Sequence, residues 1–206
     1  MTASRLPVLR HDDLDPDGLR VWDGVTGSRG AAMISAEGGL IGPFNAFLHA
    51  PVVGRRLSAL GQAVRFETSL DRRVSELVIL TVGARWKAEF EWWAHVPAAR
   101  EHGVPQAVID AIGRGAEPPL QAADERAAYA VARQLLSAGQ LSQDTYDAAR
   151  LAFGDAGMVE LISLCGYYTL ISYLLNGCAV PLPPGAEPAW TGPAGGGTPS
   201  APQDDT

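Results

Sequence analysis

Glu76, Glu91 and His95 are the residues of this chain whose types and setting suit chemistry. Glu76 lies in the run Ser75-Glu76-Leu77-Val78-Ile79-Leu80. Glu91 and His95 lie in Ala88-Glu89-Phe90-Glu91-Trp92-Trp93-Ala94-His95-Val96-Pro97. Both stretches are too apolar to carry charge by accident. Two carboxylates and an imidazole held against tryptophans make an acid–base site. Glu91 and His95 are four residues apart and share one helix face. Ala88 and Ala99 lie near that face, which predicts room above it. Pro97 cannot donate to the Trp93 carbonyl, leaving that acceptor free near the expected pocket. Arg85, nine residues after Glu76, is a candidate to meet a substrate carboxylate from the end of its helix. Plainer readings stand beside these. Glu91 and His95 also fit an ordinary surface pair, Trp92 and Trp93 plain core packing, and Glu76 a structural carboxylate satisfied by Arg72 or Arg73.

The elements that must position these groups read as helices. Asp71 is a good N-cap for a helix running to about Lys87, apolar on most sides and therefore central. Ala88 to Glu101 forms the next, ended by His102-Gly103. Pro51 opens an earlier helix in which Val53, Leu57, Leu60 and Val64 repeat at helical spacing. Pro105 to Ile112, Asp124 to Ala138, Ser142 to Phe153 and Met158 to Gly177 complete the set. No stretch alternates with a period of two between hairpin turns, so the fold class is all-α. Residues 1–30 read as a polar arm with about one turn of helix, and Gly38 to Asn45 as a turn-rich apolar loop. Residues 31–185 form the helical domain. The Pro-, Gly- and Ser-rich segment 186–206 reads as a flexible tail.

Composition narrows the function classes. The 206 residues, 47% of them hydrophobic, suffice for one domain with a sizeable core. A net charge of −7 and no basic stripe argue against nucleic acid as a partner. Cys165 and Cys178 have no redox or zinc spacing and sit among apolar neighbours, which predicts buried free thiols. His11, His49, His95 and His102 are scattered, so no metal site is expected. The first residues hold no apolar core of signal-peptide length, and a cytoplasmic location is expected. Leu161 to Leu182 is uncharged and long enough to span a bilayer, but its Ser, Gly, Tyr and Asn residues dilute it. A helix buried at the centre of an oligomer accounts for it better than a membrane span.

The sequence resembles the carboxymuconolactone decarboxylase family, which also contains the alkylhydroperoxidase D-like proteins. The resemblance covers about residues 38–185. It rests on Leu40-Ile41-Gly42-Pro43-Phe44-Asn45-Ala46-Phe47-Leu48-His49-Ala50-Pro51, on Arg65-Phe66-Glu67-Thr68-Ser69-Leu70 and on Glu76-Leu77-Val78-Ile79-Leu80. Phe90-Glu91-Trp92 with His95, and Gly166-Tyr167-Tyr168-Thr169-Leu170 leading into Pro181-Leu182-Pro183-Pro184-Gly185, complete it. It implies an alkylhydroperoxidase D-like helical fold, self-association as trimers or hexamers, and an active site on the helices carrying Glu76 and His95. The peroxidase-like members carry a glutamate, a CxxC pair, and a histidine four residues after the second cysteine. Glu76 and His95 match that pattern, but Ala88 and Glu91 stand in the cysteine positions. Thiol peroxidase chemistry by that route needs both thiols.

The decarboxylase-like branch remains. Loss of CO₂ from a carboxylated lactone leaves a dienolate, and stabilising and protonating it needs neither metal nor organic cofactor. In that reading His95 is the proton donor, Glu76 orients it, and Glu91 is a second acid or a ligand for a substrate hydroxyl. Trp92, Phe44 and Asn45 wall the pocket, and Arg85 or Arg65 anchors a carboxylate. The expected function is a cofactor-independent lyase acting on a small carboxylated lactone or related enolisable acid. Two alternatives stay open: a proton-moving isomerase or cyclase of a natural-product pathway, and an oligomeric binding protein without turnover.

Overall fold

Helix α4 (Arg72–Trp86) is the axis of the fold. Asp71 caps it by accepting from the Arg73 N–H at 2.8 Å, and Lys87 ends it in the left-handed conformation, φ 48°. Every residue from Val74 to Gly83 is buried, as a helix apolar on most sides requires. Around it, in a computed structural model that describes residues 4–190, stand the other helices of an all-α chain. They are α1 (Pro16–Arg29), α2 (Pro43–His49), α3 (Pro51–Phe66), α5 (Glu89–Glu101), α6 (Gln106–Gly113), α7 (Ala123–Ala138) and α8 (Gln143–Gly177). There is no β-strand among the described residues, only two isolated bridges.

The core divides along α4. Val74, Val78, Ile79 and Val82 face a large cluster with Val21, Val25, Phe47, Val64, Leu161, Leu164 and Ile171. Leu77 and Leu80 face a smaller one with Val104, Val108, Ile109 and Ile112 of the α5–α6 side. Each such aliphatic side chain contributes roughly 1.5–3 kcal/mol on burial, so both faces of α4 are held firmly. Helix α8 packs on α4 and α7. It is long and apolar enough to cross a membrane, and here Leu161, Leu164, Cys165, Tyr168 and Leu175 carry that apolarity into the core. The run breaks at Gly154, whose φ of 67° a residue with a side chain rarely adopts, so the two helices read from the sequence meet end to end.

Both ends of the chain are better built than their composition suggests. The arm read over residues 1–30 contains α1, fourteen residues long, capped by Asp15 accepting from Gly18 N–H, with Val21, Trp22 and Val25 buried in the main core. Asp17, Asp23, Gly24 and Gly27 fall on the outer face and hide the apolar stripe. The loop read over Gly38–Asn45 gives way to α2 at Pro43. The residues that follow Gly185 do not all float. Trp190 packs edge-on against Trp92 at 5.2 Å, donates its indole N–H to the Gly113 carbonyl at 2.9 Å, and its backbone N–H meets Glu89 at 3.0 Å. A single large aromatic with a hydrogen-bond partner docks a segment that Pro and Gly content marks as loose. The remainder of the expected tail, residues 191–206, lies outside the described residues.

Candidate active site

Glu76 sits in the middle of α4 with no exposed surface. An isolated carboxylate there would be costly, and three groups answer it. Its Oε2 accepts from His95 Nδ1 at 2.6 Å. Its Oε1 accepts from Arg72 at 2.8 Å, with the Arg65 guanidinium 3.9 Å away. Arg72 also donates to the Arg65 carbonyl, which ties the end of α3 to the start of α4. The α4–α5 turn through Lys87 brings His95, nineteen residues on, back beside Glu76.

The other ring nitrogen is engaged as well. His95 Nε2 lies 2.9 Å from Glu91 Oε1, on the same helix, and 3.4 Å from the Tyr168 hydroxyl of α8. The Tyr168 ring meets the imidazole edge-on at 5.2 Å. Burial pulls the His95 pKa down, but hydrogen bonds and charge from Glu76 and Glu91 outweigh it, and the net direction is up. For Glu76 burial pushes the pKa up; His95, Arg65 and Arg72 together reverse this and hold it below 4.5. Both shifts favour an imidazolium bracketed by carboxylates, each ring N–H donating to one of them. Burial holds the Tyr168 hydroxyl well above 10.0, so it stays a protonated donor. The cluster has one cation in excess: His95, Arg65 and Arg72 against Glu76 and Glu91. The two carboxylates meet opposite sides of one ring, so the three side chains do not converge on a single metal ion.

Other sequence candidates fall elsewhere. Arg85 is exposed and stacks over Trp86 at 5.1 Å; nine residues of helix carry it past the buried stretch that holds Glu76. Trp92 faces the α6 side, where Gly113 leaves space for its ring and Trp190 covers it. Asn45 is a clamp: it accepts from Leu9 N–H and donates to the Pro7 carbonyl, both at 3.0 Å, and so pins the N-terminal segment. Phe44 stays close to charge, under the Arg29 guanidinium at 4.9 Å. Ala88 and Ala99 are fully buried and let α5 pack tightly rather than leaving room above His95. Trp93 and Pro97 are exposed, which puts the acceptor freed by Pro97 on the outer side of α5. Removing His95 would strand two buried carboxylates, so the view of it as an uncrowded side chain in open space gives way.

The sequence reading missed Tyr168 as a neighbour of His95. Tyr167-Tyr168 figured there only within a motif, because contacts across seventy-three residues leave no local signal. Cys165 is buried and its thiol pKa is pushed up to about 12, away from thiolate chemistry, whereas Cys178, expected to be buried too, is partly exposed.

Residues 51–134 match the carboxymuconolactone decarboxylase family. The matched stretch holds α3, α4 and α5, and with them Glu76, Glu91 and His95. An uncharacterized peroxidase-related protein of Ralstonia eutropha JMP134 with an alkylhydroperoxidase AhpD core has a TM-score of 0.70 at 18% identity, over 88% of this chain and 93% of its own. A peroxidase-related protein of Silicibacter sp. TM1040 gives 0.69 at 15%, over 89% and 93%. A putative antioxidant defence protein AhpD of Agrobacterium tumefaciens gives 0.61 at 20%, over 68% and 96%. At such identities the likeness establishes the fold, which is the AhpD-like helical fold read from the sequence. No curated protein matches the chain.

Proposed function

We propose that this protein is a cofactor-independent lyase that moves protons on a small carboxylated lactone or related enolisable acid. The observation that carries this reading is the engagement of both His95 nitrogens by carboxylates, Glu76 at 2.6 Å and Glu91 at 2.9 Å. Glu76 is sealed in the core and holds Nδ1. Glu91, on the Nε2 side, is the member of the pair free to exchange its partner for a substrate. The proton therefore passes between His95 and the substrate through or beside Glu91, in keeping with the sequence reading of Glu91 as a second acid. In the forward reaction the C–CO₂ bond breaks, its electron pair moves into the adjoining carbonyl as an enolate, and the imidazolium–Glu91 pair returns a proton to carbon. Tyr168 O–H and the surplus cation stabilise the developing oxyanion in a site screened from water. A carboxylate that gives a proton also takes one, so the same pair suits an isomerase whose first step is proton abstraction.

Self-association belongs to the proposal. Val159, Ile162, Leu170 and Tyr173 are exposed along one stripe of α8, and Val52, Val53 and Leu60 are exposed on α3. Such a surface suits a copy of the chain.

The test is turnover of a panel of carboxylated lactones, following CO₂ release and deuterium uptake from D₂O. Glu91→Gln should lower the rate by about 10²–10⁴, the range of a lost general acid–base group, with the fold intact. A folded Glu91→Gln protein with unchanged turnover would refute the role of Glu91. A wild-type protein that binds such acids and exchanges no proton would refute the enzyme reading.

A further inference from the structure

Arg29 is the C-terminal residue of α1, outside the family-matched stretch, and half-buried. Among the described residues it makes no salt bridge; its contacts are the hydroxyl of Ser28 at 3.1 Å and the face of Phe44 at 4.9 Å. A partly desolvated guanidinium without a carboxylate is an anion-binding group in search of an anion. It lines a groove of about 250 Å³ between α1 and α3, together with Ser58 and Gln62. Ser58, Gln62 and Arg65 follow one another at helical spacing along one face of α3, so that face leads from the groove to the Glu76–His95 cluster. Arg65 offers a further donor: its Nε is buried and has no hydrogen-bond partner. The Tyr167 hydroxyl lies directly over Gly61, one turn before Arg65 on α3.

We infer that Arg29 and Arg65, with Tyr167 beside them, hold a carboxylate of the substrate and aim its reacting carbon at Glu91 and His95. This rests on the acid–base reading of the site and adds the binding end to it. Mutual influence agrees with the geometry. Burial lowers the Arg29 pKa, the charge of Arg65 lowers it further, and Tyr167 and Tyr168 act the other way. Burial pushes Tyr167 up to about 12, so its phenol stays a protonated donor. The carboxylate held here is one the reaction keeps. A guanidinium clamped on a departing carboxylate would stabilise the ground state and slow the loss of CO₂.

The experiment measures binding without turnover. The probe is the saturated lactone acid 5-oxotetrahydrofuran-2-carboxylate, titrated calorimetrically against its neutral primary amide. Wild type should prefer the acid by about 10–100-fold, the worth of a charge-assisted contact. Arg29→Gln should erase most of that preference and leave the amide unchanged, and Arg29→Lys should restore part of it. Arg85→Gln should bind like wild type. Glu91→Gln should keep the preference, so a failed acid–base reading and a failed binding site give different results. Should Arg29→Gln not fold, the probe should protect Arg29 of the wild type from phenylglyoxal, read by peptide mass. Equal affinity of wild type for acid and amide, no binding of the acid at millimolar concentration, a folded Arg29→Gln that retains the preference, or unprotected Arg29 would each overturn the inference.

Discussion

Replacing Glu76 by glutamine tests whether the cluster works as one charged unit. The substitution keeps size and one oxygen but removes the charge that both His95 and Arg72 face. Breaking a buried pair by removing one partner costs about 3–5 kcal/mol. The lower end applies, because the Arg72 and Arg65 side chains are 26% and 21% exposed and can turn toward water. At roughly 2–4 °C per kcal/mol for a domain of this size, the midpoint should fall by about 6–12 °C. A pair on the surface would be worth no more than about 1 kcal/mol and would barely register. The imidazole gives a second reading. With Glu76 neutral, burial opposes only Glu91, so the His95 pKa should drop from its raised value. Urea and thermal unfolding measure the first quantity, and the imidazole nitrogen shifts in NMR the second. A midpoint within 2 °C of wild type, or an unchanged His95 titration, would show that Glu76 is not the anion that charges the ring.

Stability should also depend on pH in a defined sense. His95 has a raised pKa when folded, so its contribution is complete below 6.5 and is lost as pH rises through the folded value. Glu76 has a lowered pKa, so its contribution is complete above 4.5 and is lost as pH falls through the folded value. The midpoint should therefore decline on the alkaline side of 6.5, and a His95→Gln variant measured from pH 6 to 9 should lack that decline; parallel curves would count against it. Trp190→Ala should lower stability by about 2 kcal/mol through the lost Trp92 contact and indole hydrogen bond, and an unchanged midpoint would mean that the segment does not dock in solution. Light scattering should give a trimer or larger, and Leu170→Glu with Tyr173→Glu should dissociate it; a monomeric wild type would refute the proposed interface.

The parts of the site that sequence conveys are those set by local rules. Glu76, Glu91 and His95 were legible because charge inside apolar helical runs stands out, and i,i+4 spacing puts two of them on one face. Helices α3 to α7 followed from caps and periodicity. What escaped depends on the third dimension. Trp92 and Phe90 are two residues apart, yet one points to the α6 side and the other joins the main core, and nothing in the run Phe90-Glu91-Trp92 says which is which. Arg85 shares a helix with Glu76 and still lies far from it, because nine residues of rise separate them. Tyr168 of α8 meets His95 of α5 across seventy-three residues, and only the packing of the helices brings them together.

Position 91 explains why this framework and thiol chemistry part company. In the resembled pattern a cysteine stands four residues before the histidine, where a thiolate would take the second ring nitrogen as its partner. Here Glu91 holds that nitrogen at 2.9 Å, while the other cysteine position, Ala88, is fully buried. In the proposed mechanism a hard acid–base group thus stands where the resembled pattern has a soft nucleophile. The exchange is not explained by stability. A buried set of two carboxylates and three cations holds a fold together no better than well-packed aliphatic side chains of the same volume, and often worse. Helix α4 spends its most sheltered turn on this arrangement between leucines and valines. On the proposed reading, such a group of charges, with an unpaired Arg65 donor beside it, serves chemistry on an anion.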